Sequence, residues 1–272
     1  MAVRHVEERV SGRVEVDIGM SGKGRRTQRL DKVLSNLGFG SRAELKKKAK
    51  QGSIVVNGTI TKDPGKHVDP YADIIEFEGE TIQYREYVYL MLHKPPGVVS
   101  ATEDLRDRTV LDLLDAEYRV FEPFPVGRLD KDTEGLLLLT NDGKLAHELL
   151  SPRKHIPKTY EATVEGRVDE EDVRRFAAGV TLDDGYVTLP GELAIHSHEQ
   201  REDGVQLSRI SLTIHEGKFH QVKRMFEAVG KKVVYLKRIS MGELRLDENL
   251  EIGTYRELTE QELALIGRAG SE

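Results

Sequence analysis

The chain has 272 residues, 38% of them hydrophobic, and no cysteine. That length supports one large core or two domains, and without cysteine there are no disulfides or thiolate metal sites. No apolar run approaches the roughly 20 residues of a membrane span, and the first residues hold no apolar signal core, so a soluble, cytoplasmic protein without membrane contact is expected.

Net charge is −6, but it is unevenly spread. Ser21 to Lys50 hold ten Lys or Arg against two acidic residues, a local +8 that leaves −14 for the rest. A basic segment of this kind is the footprint of nucleic-acid contact; a solvated helix face has the same composition. Residues 1–27 lack apolar periodicity and read as a flexible basic extension. Met20, just ahead of the basic stretch, is a candidate true start.

From Arg29 the pattern changes. Leu30, Val33, Leu34 and Leu37 fall at helical spacing, ended by Gly38. Ser41 with Glu44 predicts a capping box on a second helix. Leu45 and Ala49 face inward there, and Arg42, Lys46, Lys47 and Lys50 crowd outward. Ile54-Val55-Val56, the Asn57-Gly58 turn and Thr59-Ile60 predict a hairpin. Ile75 and Phe77, alternating with Glu76 and Glu78, suggest a closing strand. The module is too small for a deep pocket and is suited to presenting cations to phosphates.

Arg29-Leu30-Asp31-Lys32-Val33-Leu34, then Ser41-Arg42, then Val56-Asn57-Gly58 resemble the S4 RNA-binding domain. The resemblance covers about Arg29 to Phe77, and the module is expected over 28–80. A polar linker, 81–86, follows, and a second domain, 87–267.

Tyr87 to Leu92 reads as a buried strand ending in His93-Lys94-Pro95-Pro96-Gly97, a stiff turn carrying a cation. Thr109 and Asp112 cap a short helix. Gly127-Arg128-Leu129-Asp130-Lys131-Asp132-Thr133-Glu134-Gly135 is a polar loop pinned between Val126 and the apolar run Leu136 to Leu139. Catalytic groups are often held on a fixed scaffold in this way. The competing interpretation is a charged turn whose Asp130 caps backbone amides. Asn141-Asp142-Gly143 turns the chain into a helix with Leu145 and Leu149 on one side. Lys158, Tyr160, Ala162 and Val164 share one face of a strand. Glu170 to Ala178 is a helix with Val173, Phe176 and Ala177 inward. Val180 to Ile195 and Val205 to Ile214 read as strands. After Gly217, Val222, Met225, Phe226 and Val229 form an apolar helical stripe, with His220, Lys223, Arg224 and Glu227 opposite. Val233 to Leu236 is a strand, and Thr259 with Glu262 boxes a last helix.

So many strands broken by short helices indicate an α+β domain. No Gly-rich phosphate loop or metal-binding helix motif appears. Four motifs stand in order: Lys94-Pro95-Pro96-Gly97, Gly127-Arg128-Leu129-Asp130, Lys158-Thr159-Tyr160, and Glu216-Gly217-Lys218-Phe219-His220-Gln221-Val222-Lys223-Arg224-Met225. Together they resemble the RNA pseudouridine synthases of the RsuA/RluB type, which also carry an N-terminal S4 domain. The resemblance implies a mixed, largely antiparallel sheet in the second domain. It implies that Asp130 is the catalytic aspartate, Tyr160 the aromatic over the base, and Lys223 the basic partner. Arginine is common at that last position, and lysine keeps the charge without bidentate geometry.

The implied chemistry breaks N1–C1′ of a uridine, turns the base and joins C5 to C1′, with no cofactor and no metal. Arg128, His220, Arg224 and Lys94 are then expected to contact substrate RNA, with Lys94 alternatively bracing the Asp130 loop. On the S4-like module Arg29, Ser41, Arg42, Lys46, Lys47 and Lys50 are the expected RNA contacts. His220-Gln221-Val222 resembles the small-subunit branch, so a uridine of 16S rRNA in an assembling particle is expected, acted on by a monomer. The rival targets and roles are 23S rRNA, a non-catalytic ribosome-assembly factor, and an RNA glycosidase that would release uracil.

Overall fold

The structure is a computed structural model that describes residues 27–268. The extension read over 1–27, including Met20, lies almost wholly outside the described residues. The described residues divide into two compact units: 27–35 with Phe39–Tyr84, and Asn36–Gly38 with 85–268.

In the first unit β1 (Gln28–Arg29) leads into α1 (Leu30–Asn36), and α2 (Arg42–Lys50) follows. Leu30, Val33, Leu34, Leu45 and Ala49 are fully buried. Ser41 and Glu44 form the predicted capping box. Next come β2 (Ile54–Val56), β3 (Thr59–Ile60), β4 (His67–Val68), β5 (Ile75–Phe77) and β6 (Glu80–Ile82). β2 and β3 pair across Asn57 and Gly58, both at positive φ, as a two-residue hairpin requires. β5 pairs with β2 on one side and β6 on the other. The start of the expected linker is therefore a strand. Its alternation was hidden because Glu80 and Thr81 are exposed and Ile82 only half-buried.

The second unit is built on one sheet. β7 (Tyr89–Lys94), α3 (Ala116–Arg119), β8 (Phe124–Pro125), β9 (Glu134–Thr140) and α4 (Gly143–Leu150) come first. They are followed by β10 (Lys158–Glu165), α5 (Glu170–Ala178), β11 (Glu192–Gln200), β12 (Gln206–Ile214) and α6 (Gln221–Glu227). β13 (Lys232–Met241), β14 (Leu244–Arg245), β15 (Tyr255–Glu257) and α7 (Glu260–Arg268) complete it. The strand order is β11-β12-β10-β13-β9-β7-β15, with β14 beside β13 and β8 beside β9. β9 and β13 run parallel; the other described pairs are antiparallel. The fold is α+β with a mixed, largely antiparallel sheet, as expected.

Each face of the sheet carries a core. Leu90, Leu137, Tyr160 and Leu212 pack with Phe176 of α5 and with Met225 and Phe226 of α6. Met91, Leu138 and Met241 pack with Leu149 of α4 and Ile266 of α7. β7 and β9 are buried on both faces, which is why they read as continuous apolar runs.

Three local expectations change. Ala177 is exposed, and Asp172 takes the inward place, where it pairs with Lys231 at 2.9 Å. Val180 to Leu189 is mostly irregular, with one isolated bridge, Thr181 to Val187; the strand begins only at Glu192 and runs to Gln200 as β11. Lys94 is the last residue of β7 and is fully buried, not part of the turn. Among the described residues no helix is long and apolar enough to cross a membrane.

Candidate active site

Asp130 lies in the loop between β8 and β9, and that loop's main chain is fastened at several points. The Ser100 hydroxyl donates to Leu129 O at 2.9 Å and accepts from Leu129 N at 3.1 Å. Gly97 N donates to Lys131 O at 2.7 Å, and Thr133 N to Asp130 O at 3.1 Å. Behind the loop the Lys94 ammonium donates to Pro95 O, Asp130 O and Thr133 O at 3.0, 3.0 and 2.8 Å. Burial pushes the Lys94 amine down to about 8, against the pull of Asp130, Asp132 and Glu134. Lys94 is therefore enclosed as a brace and has no free face for RNA, which corrects the expected contact. The loop leaves through Gly135, whose φ is +109°. A Cβ there would collide with the main-chain oxygen of Arg238 and lie 2.7 Å from its nitrogen.

The Asp130 carboxylate does not cap an amide among the described residues. Its Oδ2 lies 3.0 Å from Lys223 Nζ, and its Oδ1 3.5 Å from His220 Nε2. The same ammonium lies 2.6 Å from Asp132 Oδ1. Burial disfavours the charged lysine, yet hydrogen bonds to Asp132 and Asp130 outweigh it, so the Lys223 pKa is raised. Asp132 is held below its ordinary range, because the Lys223 hydrogen bond and charge outweigh burial.

α6 delivers Lys223 and His220 because its other side is anchored: Val222, Met225 and Phe226 are buried, and the Phe226 ring sits 4.9 Å from Phe176. His220 precedes the helix in a left-handed conformation, φ 47° and ψ 33°, which is uncommon outside glycine. The Lys223 and Arg224 side chains are only 20% and 14% exposed, so this flank of α6 is not a wet face. Arg224 is held by Asp183 and by Asp184, the latter at 2.7 Å, so it anchors the loop after α5 and is not left for RNA.

Tyr160 is buried in the same core as Leu129. It pairs with Arg238 of β13, which pairs with Gly135 of β9, so Tyr160 and the Asp130 loop share one end of the sheet. Arg128 is exposed and has no ion pair or side-chain hydrogen bond among the described residues.

In the first unit the expected RNA contacts separate into two kinds. Arg42, Lys46, Lys47 and Lys50 are exposed along α2. Ser41 is not available in the same way, since its hydroxyl donates to Glu44 at 2.7 Å in the cap. The Arg29 guanidinium grips Asp31 at 2.7 and 3.0 Å and lines a recess with Arg42 and Lys46.

Sequence reasoning missed Glu216, whose carboxylate accepts from Tyr186 Oη at 2.6 Å, Leu189 N at 2.9 Å and Gln221 Nε2 at 2.8 Å. It stands in the fourth motif, but its partners on the preceding loop carry no periodic signal. Ser100 was missed because its partner, Leu129, is a main-chain one in a distant loop, and Asp132 because its partner, Lys223, lies far along the chain.

Residues 88–228 match the model of the RNA pseudouridylate synthase family, and residues 28–74 that of the S4 domain. An uncharacterized RNA pseudouridine synthase of Bacillus subtilis, YtzG, is 53% identical over 88% of this chain and 98% of its own. The ribosomal large subunit pseudouridine synthase B of Bacillus subtilis is 40% identical over 87% of this chain and 94% of its own. The ribosomal small subunit pseudouridine synthase A of Yersinia pestis is 39% identical over 88% and 98%. A crystal structure of a pseudouridylate synthase aligns with TM-score 0.59 at 37% identity, over 88% of this chain and 99% of that one. The chain therefore belongs to the RNA pseudouridine synthase family, with an S4 domain ahead of the synthase domain.

Proposed function

We propose that the enzyme converts a uridine of 16S rRNA to pseudouridine, with Asp130 as the reacting carboxylate. The observation that carries this is the Asp130–Lys223 pair, 3.0 Å apart, with Asp130 on a loop whose main chain is held from behind by Lys94 and Lys223 on α6. Asp130 acts at the ribose, either as nucleophile at C1′ or as base at the neighbouring 2′ carbon. The N1–C1′ bond breaks, the uracil turns under Tyr160, and C5 bonds to C1′. The proton leaves C5 and N1 takes one up, so the sum of atoms is unchanged and no cofactor takes part. Lys223 holds the carboxylate in place and balances its charge. The target uridine must leave its stack, at a cost of a few kcal/mol, and exposed Arg128 is the cation set to meet its backbone.

The S4 module, 28–80, grips RNA through Arg29, Arg42, Lys46, Lys47 and Lys50 along α2 and its flank. The synthase domain, 87–267, acts as part of a cytoplasmic monomer on a small-subunit assembly intermediate. His220-Gln221-Val222 supports the small-subunit target. The near-equal identity to a large-subunit relative keeps 23S rRNA as the second reading.

Tritium release from rRNA labelled at uridine C5, with wild type and Asp130→Asn, tests the carboxylate. The variant should bind RNA as wild type does and release nothing. Turnover by the variant, or free uracil in the wild-type reaction, would sink the proposal. Pseudouridine mapping of rRNA from a strain lacking the chain tests the target: a site missing from 23S and none from 16S would move it to the large subunit.

A further inference from the structure

Phe219 belongs to the fourth motif but takes no part in the Asp130–Lys223 pairing. The residue is 74% exposed, an unfavourable setting for a large apolar ring. One face is covered by the His220 imidazole, with centroids 3.7 Å apart and planes 20° apart. The Nε2 of that imidazole lies 3.5 Å from Asp130 Oδ1. Carboxylate, imidazole and phenyl ring thus follow one another outward from the site.

The ring is presented by a constrained main chain. His220 is in the left-handed region. The Phe219 carbonyl accepts from Arg224 Nη1 at 3.3 Å. Lys218 N donates to the Gln221 side chain at 2.8 Å, and Gln221 is itself buried. The Lys218 ammonium stands over the Tyr186 ring, 4.3 Å from its centre, so the residue before Phe219 is fixed as well.

We infer that Phe219 is a substrate-binding platform on which an unpaired RNA base next to the target uridine stacks. A uridine drawn out toward Asp130 loses its stacking partners, and so does its neighbour. An aromatic face one ring away from the carboxylate replaces that lost stacking. Stacking of this kind tolerates any base, because every base has a π-face. The inference rests on Asp130 being the reacting group.

The test uses the full-length enzyme and a synthetic RNA hairpin carrying the uridine that mapping identifies. Phe219→Ala and Phe219→Leu should raise KM roughly 5- to 100-fold, the range that loss of one stacked base gives, with kcat changed much less. Phe219→Trp should restore KM. In a hairpin with an abasic ribose on the stacked side of the uridine, wild type and Phe219→Ala should become equal.

If Phe219→Ala loses the same factor on the abasic hairpin, or loses kcat alone, the ring merely supports His220 and the inference is overturned. A wild-type KM for Phe219→Ala overturns it as well, leaving the ring to some other partner. Failure of the Asp130 assignment would look different: Asp130→Asn would release tritium, whatever Phe219 variants do.

Discussion

The Lys94 ammonium lies 3.0 Å from the main-chain oxygen of Asp130. A buried cation thus holds the back of the loop whose front carries the carboxylate, and rigidity at Asp130 depends on a residue that never meets the substrate. Lys94→Met should strand buried carbonyl oxygens at about 1–3 kcal/mol each. The expected result is a lower melting temperature together with loss of turnover; unchanged melting would show that the brace is dispensable.

Gly135→Ala should be among the most damaging single changes. The position needs φ of +109°, and its Cβ would run into the Arg238 main chain on β13. The parallel β9–β13 pairing cannot move apart without opening the core on both faces, so a loss on the order of 3 kcal/mol or more is expected. Chemical denaturation measures it, and a wild-type midpoint would contradict the close approach.

Lys223 serves Asp130 and Asp132 at once. Lys223→Arg should retain activity, since charge and reach are kept, whereas Lys223→Met should lower kcat by roughly 100-fold. Asp132 is 73% exposed at its side chain, so Asp132→Asn should cost little. The raised Lys223 pKa means that the ion pair is fully present below the ordinary lysine value and is lost only as pH rises through the higher one. Turnover should therefore show no alkaline fall from this group near pH 8 to 9. Single-turnover rates across that range check it.

Lys158 behaves in the opposite sense. Burial, and then the nearby Arg238, push its amine down to about 8. The unfolded chain binds the proton more tightly, so stability from this group rises with pH between about 8 and the ordinary lysine value. Lys158→Met should lose this rise, so wild type should gain stability relative to the variant between about pH 8 and pH 10.5. Thermal melts at the two pH values measure it; the same pH dependence in both proteins would refute the assignment.

Features with local causes could be read along the chain. The Asn57-Gly58 hairpin, the capping boxes at Ser41 and Thr259, α5 and the apolar stripe of α6 were legible because their causes lie within a turn or two of chain. The ordered motifs marked Asp130 and Lys223 as partners although they lie far apart in the chain. Tertiary structure decided the rest. Lys94 looks the same in sequence whether it meets RNA or disappears behind a loop; the choice is made by four backbone oxygens that converge only when β7, its turn and the Asp130 loop come together. Arg224 looked like a free cation until Asp183 and Asp184 came to it across the fold. Glu80–Ile82 and Tyr255–Glu257 are strands because a neighbour offers them an edge, and short polar segments carry no record of that. Periodicity encodes which side of an element is buried, but the partners of a charge are set by the packing of distant elements.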